Sequence, residues 1–152
     1  MKKSISILLI AVFAIALLFG CQKRTALTTE EFKEKSVSYG LTVKDVKDSY
    51  QEEIFTNATM AVSSEGWNVL FLEINTEENA KSYWAVCVPF LENLKTGAGT
   101  AQKTDHDDFK MYTHTNGGKY AYVSQIGKTL VYIVAEEKDK ASISAFIKSI
   151  GY

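Results

Sequence analysis

Cysteine and proline are scarce in this chain, with two cysteines and one proline in 152 residues. Two thiols, Cys21 and Cys87, cannot build the multi-bridge framework of a small disulfide-stapled fold, so packing has to hold the chain together. One proline beside nine glycines leaves no material for a long flexible linker, and the length suits one domain rather than two. Charge of one sign is lacking as well. The 17 Lys and Arg stand against 18 Asp and Glu, for a formal net charge of −1. No general basic field exists to gather nucleic acid, and no nucleic-acid partner is expected. What remains is globular material, 46% hydrophobic and 23% charged, which excludes a collagenous, low-complexity or wholly disordered chain.

The longest apolar run lies at the start. Met1, Lys2 and Lys3 are followed by Ile7 through Phe19, a stretch without a polar side chain. Positive charge followed by an apolar run is the order of an export signal, and the run falls short of the roughly 20 residues that a membrane-crossing helix requires. It closes in Leu18-Phe19-Gly20-Cys21: an aliphatic residue, a tolerant position, a small residue, then cysteine. This ending resembles the lipobox of bacterial lipoproteins. The resemblance implies cleavage before Cys21, a diacylglycerol on its sulfur with palmitate among the acyl chains, and residence on the outer face of the cell membrane. Two acyl chains hold a protein on a bilayer where one chain is marginal. The expected organisation is a signal peptide over 1–20, a lipidated tether over 21–27 and a single domain over 28–152. Without residues 1–20 the chain keeps 15 basic and 18 acidic side chains, a formal −3.

Beyond the tether, Leu27, Thr28, Glu31 and Phe32 take the positions of a hydrophobic staple around a capping box. They predict a surface helix over about 28–39, with Phe32, Val37 and Tyr39 as its apolar face and Gly40 as its stop. Ala58, Met60 and Val62 alternate into Ser63-Ser64-Glu65-Gly66, and the pattern resumes from Trp67 to Ile74, which reads as a β-hairpin. The second strand is apolar on both faces, with Trp67, Val69 and Phe71 on one and Leu70, Leu72 and Ile74 on the other, so it should sit centrally and be covered on both sides. Asn75 with Glu78 suggests the next helix start. Ala80, Tyr83, Trp84, Cys87, Leu91 and Leu94 recur at helical spacing, with a kink or break expected near Val86 to Val88 because of Pro89. Cys87 falls in that stripe, as a small buried hydrophobe would.

Lys95 through Asp108 is small and polar and reads as the longest loop. Strands follow at Phe109–Thr115, Lys119–Gln125 and Thr129–Ala135, joined at Asn116-Gly117-Gly118 and Gly127-Lys128. Ile143, Phe146, Ile147 and Ile150 mark a closing helix ended by Gly151. The order α-β-β-β-α-β-β-β-α points to an α+β fold, an antiparallel sheet with helices on one face and a possible duplicated αβββ unit. The features Phe32 to Gly40, Val43 to Val46 and Ile126-Gly127 are similar to small lipoproteins of Gram-positive bacteria.

Two constellations carry chemistry. Asp105, His106 and Asp107, with His114 one strand away, are the densest run of candidate metal ligands, although the run lacks the glycine and distal glutamate of an EF-hand loop. Tyr112, Tyr120, Tyr122 and Tyr132 cluster on the C-terminal strands, where an uncovered sheet face would present them to an envelope protein, a peptide or a glycan. No G-x-S-x-G elbow, H-E-x-x-H helix or dinucleotide fingerprint occurs, so no cofactor and no catalytic residue are assigned. The expectation is a membrane-anchored, non-enzymatic binding or accessory module. Its alternative is an extracytoplasmic enzyme or metal-dependent protein using the Asp105–Asp108 loop.

Overall fold

A computed structural model describes residues 24–152. The export signal, the lipobox and Cys21 lie outside the described residues.

The first element among the described residues is α1 (Thr29–Ser38), where the expected capping box forms: Thr28 accepts from the Glu31 backbone N–H and the Glu31 carboxylate accepts from that of Thr28. Two hydrogen bonds to the carboxylate, from the Thr28 backbone N–H foremost and from the Thr28 hydroxyl, hold the Glu31 carboxyl below its ordinary protonation range. A short strand β1 (Thr42–Asp45) precedes the hairpin β2 (Phe55–Val62) and β3 (Asn68–Ile74). Helix α2 (Glu77–Asn93) is capped by Thr76, one residue beyond the expected Asn75, because the Thr76 hydroxyl takes the Asn79 N–H. Pro89 neither ends nor interrupts it. Its ring lies on the exposed side of the helix, where water reaches the carbonyl it leaves unpaired.

The stretch expected to be a long loop contains strand β4 (Gly99–Asp105), so the second half of the chain has four strands, not three. It continues through β5 (Lys110–Asn116), β6 (Lys119–Ile126), β7 (Thr129–Glu136) and helix α3 (Lys140–Ile150). Gly117 and Gly118 both have positive φ, at 58° and 77°, which gives the β5–β6 turn the twist a two-residue hairpin requires.

All seven strands form one antiparallel sheet in the order β1-β2-β3-β7-β6-β5-β4. Two meanders, β1 to β3 and β4 to β7, meet along the β3–β7 seam, where Leu70 faces Tyr132 and Glu73 faces Thr129. The fold is α+β, but the helices do not share one face. Helices α1 and α3 cover Trp67, Val69, Phe71, Val131 and Ile133. Helix α2 covers Leu70, Leu72, Val123 and Leu130 on the opposite face. The reason is visible in β3: a strand apolar on both sides needs burial on both sides. The possible repeat is limited to the strands for the same reason, since α2 and α3 leave equivalent hairpins toward opposite faces.

The α1/α3 core is aromatic. Phe32 stacks on Phe71 with centroids 4.6 Å apart, and Phe146 meets Phe32 edge-on at 6.3 Å. Such pairs add about 0.5–1.5 kcal/mol each beyond their area burial. Phe32 alone carries the apolar burial of α1: Thr29 and Ser36 are buried beside it, whereas Val37 is 62% exposed. Tyr152 closes the core, its hydroxyl bonded to Thr129 and accepting the Leu27 N–H.

Candidate functional site

Helices α1 and α3 stop short of the β4–β5 side of their face. What they leave open is a cleft of about 830 Å³ with β4, β5 and β6 as its floor and α3 as one wall. The strand registers decide its lining. Thr100 pairs with Thr115, Gln102 with Thr113 and Thr104 with Met111, and Thr113 and Thr115 oppose Tyr122 and Tyr120 in turn. A β-branched hydroxyl residue at alternate positions keeps the strand and turns the floor polar.

Cations rim the cleft. Lys140 donates to the Thr115 hydroxyl at 3.0 Å and sits 5.7 Å from the centre of the Tyr120 ring. Lys148 lies further along the same wall, past Ser144. Arg24 lies over the Phe109 ring at 3.7 Å, a close cation–π contact. His106, Asp108 and Phe109 complete that end, and together with Arg24 they also line a second hollow of about 1180 Å³ that includes Lys81, Lys110 and Gln125. Gln125 spends its amide N–H₂ on the Gly127 carbonyl, while its Oε1 has no partner among the described residues.

The four tyrosines do not form one surface, because side chains alternate across a pleated sheet. Tyr120 and Tyr122 belong to the cleft face but are nearly buried at its base. Burial pushes the Tyr122 phenol up to about 12. Tyr112 and Tyr132 point to the α2 face, where Tyr112 is buried and Tyr132 is half-buried. There burial, reinforced by Cys87 and Tyr50, raises the Tyr132 phenol to about 12. Cys87 is buried as expected, and its thiol is pushed up to about 11 by that burial. It is therefore a packing residue and a poor nucleophile at neutral pH.

His114 is kept apart from the other three proposed metal ligands. Asp105 ends β4 and ion-pairs Lys110 at 3.1 Å. His106 closes the β4–β5 turn by a backbone bond to Phe109 at 2.9 Å, and Asp107 is exposed. His114 lies well up β5, opposite Ala101, and is buried on the α2 face with its ring 5.9 Å from that of Tyr112. Among the described residues no group of three or more His, Cys, Asp or Glu gathers in a geometry that would hold a metal ion. His114 Nδ1 lacks a partner among these residues, and burial, with Lys95 nearby, lowers the ring's affinity for a proton.

Sequence reasoning missed most of the cleft. Thr100, Gln102 and Thr104 fall in the segment read as a loop, and Arg24, Lys140 and Lys148 carry no local motif. The available signal lay in β5, where Thr113 and Thr115 alternate with Tyr112 and His114 and put a polar period-2 face where the rest of the sheet is apolar.

No protein-family model matches the chain, and no curated protein does either. Among solved structures it is similar to a GTP binding regulator from Thermotoga maritima. That likeness has a TM-score of 0.46 and 15% identity, and it spans 78% of this chain and 83% of that one. At this level it transfers no residue and no ligand. Among the described residues no helix is long and apolar enough to cross a membrane.

Proposed function

We propose that this protein is an extracytoplasmic lipoprotein, held on the cell membrane through Cys21, whose folded body is a non-enzymatic binding or accessory module. The observation that supports the binding role is the open cleft over β4, β5 and β6. Its lining offers hydroxyls, an amide and three cations to a ligand. The anchor is supported by the Lys-apolar-Leu-Phe-Gly-Cys order of residues 2–21.

Metabolic labelling with a fatty-acid probe tests the anchor. Label should enter the wild-type protein and be lost from Cys21→Ala, with the variant released from the membrane fraction; label that survives the substitution refutes the anchor. Turnover of a defined substrate, abolished by one substitution in the cleft, would refute the non-enzymatic role.

A further inference from the structure

The charges of the domain are unevenly placed. Residues 21–152 are acidic by three formal charges, yet the fixed charges lining the cleft are Arg24, Lys140 and Lys148 against Asp108 alone. The ion pairs among the described residues join Lys33 to Glu30, Lys110 to Asp105 and Lys119 to Glu136. Not one of the three cleft cations is in that set. Two of them are oriented instead by neutral neighbours: Lys140 by the Thr115 hydroxyl and the Tyr120 ring, and Arg24 by the Phe109 ring. Such contacts position a cation without neutralising it, so its field stays directed at the cleft. On the floor between them, Thr100, Gln102 and Thr104 make no side-chain hydrogen bond to another described residue and are free to donate. Cations around a bed of free hydroxyl and amide donors are the chemistry of phosphate recognition.

The covalent chain says which phosphate is nearest. Three peptide steps separate Cys21 from Arg24, and an extended step covers at most about 3.6 Å, so an acylated sulfur lies within roughly 11 Å, plus the length of its side chain, of the Arg24 backbone. The polar layer of one leaflet is roughly 5–8 Å thick, so this short reach leaves Arg24 within or just outside it. If Cys21 carries the lipid, the mouth of the cleft is held against the bilayer surface.

We infer that the cleft binds the headgroup of an anionic phospholipid in the membrane that carries the anchor, with Arg24, Lys140 and Lys148 around the phosphate and the threonine hydroxyls on the polar remainder. The inference rests on the anchored reading above for the source of the phosphate. Each Lys or Arg beside an anionic lipid surface strengthens binding about five-fold. Removing two cations should therefore weaken retention about 25-fold.

Native mass spectrometry of the full protein, extracted from membranes in detergent, tests both statements in one spectrum. Phosphatidylglycerol and phosphatidylcholine are titrated into wild type, Lys140→Gln/Lys148→Gln and, as a charge-matched control on the far edge of the sheet, Lys44→Gln/Lys47→Gln. The expected result is a phosphatidylglycerol adduct retained by wild type and control and weakened about 25-fold in the cleft variant, with phosphatidylcholine retained by none of them. Equal retention of the two lipids, or equal weakening in the two double variants, would overturn the assignment. If glycerol phosphate binds with the same lysine dependence and phosphatidylglycerol does not, the ligand is a free phosphate and the bilayer source is overturned. The intact mass of the same ions reports acylation separately: an unmodified Cys21 thiol overturns the anchor, whatever the adducts show.

Discussion

One face of the sheet is sealed over β2, β3 and β7 and open over β4 and β5. The backbone is the same in both regions, a regular antiparallel ladder without interruption from β3 through β7 to β4. The side chains differ. The sealed region presents Ala61, Val69, Phe71, Val131 and Ile133 to α1 and α3, and the open region presents Thr100, Gln102, Thr104, Thr113 and Thr115 to solvent. Helices settle where apolar area can be removed from water, and here that area ends at β6. The cleft is thus not a gap between poorly fitting parts. It is the place where the sheet's own sequence stops rewarding a cover.

Three substitutions put this contrast to the test. The largest effect is expected in the sealed region. Phe71 is fully buried and stacks on Phe32, so Phe71→Ala should lower the unfolding free energy by about 3–5 kcal/mol, measured by urea titration. A loss below about 1 kcal/mol would mean that α1 and α3 do not seal that half.

In the open region the effect should be smaller and local. A methyl at Gly99 would meet the Thr115 carbonyl oxygen and stand 2.6 Å from the Asn116 amide nitrogen. Asn116 itself pins the turn before β4 by donating to the Gly97 and Ala98 carbonyls at 2.9 and 2.7 Å. Gly99→Ala should therefore cost about 1–3 kcal/mol and loosen β4 from β5. Hydrogen exchange should speed up at the β5 amides facing β4 while the β3 and β7 amides stay protected; uniform acceleration would show that the two regions are not separable.

The smallest effect concerns pH. His114 is buried with its proton affinity held below the ordinary value of 6.5, first by burial and then by Lys95. The unfolded chain takes up this proton first as pH falls. Stability linked to His114 is thus complete above 6.5 and declines as pH drops from 6.5 toward the depressed folded value. Urea midpoints at about pH 7.5 and 5.5 should differ more in wild type than in His114→Phe, and the same pH dependence in both would dismiss the linkage.

The sequence made some of this legible. The capping box at Thr28 and Glu31, the two-faced β3 and the closing helix through Ile143 and Ile150 each carry their signal in their own residues, and each is found. β4 gave none, because a strand exposed on both faces has no apolar alternation to display; its pairing with β5 makes it a strand. The same fact hid the cleft, half of whose floor is β4. The tyrosines were visible as a cluster in sequence but split by register, since Tyr112 lies opposite Val123 while Tyr122 lies opposite Thr113. Arg24 and Lys148 meet only through the fold, so no local pattern could have joined them.

β4 has one further consequence. It is an edge strand, with every residue but Thr104 exposed, and its outer row of amides has no neighbour in the sheet. Bare edges of this kind are where strand-to-strand aggregation begins. Gly-Thr-Ala-Gln-Lys-Thr-Asp denies an incoming strand any greasy strip to settle on and greets it with both signs of charge. The plainness that conceals this segment in the sequence is also what keeps its bare edge from recruiting another strand.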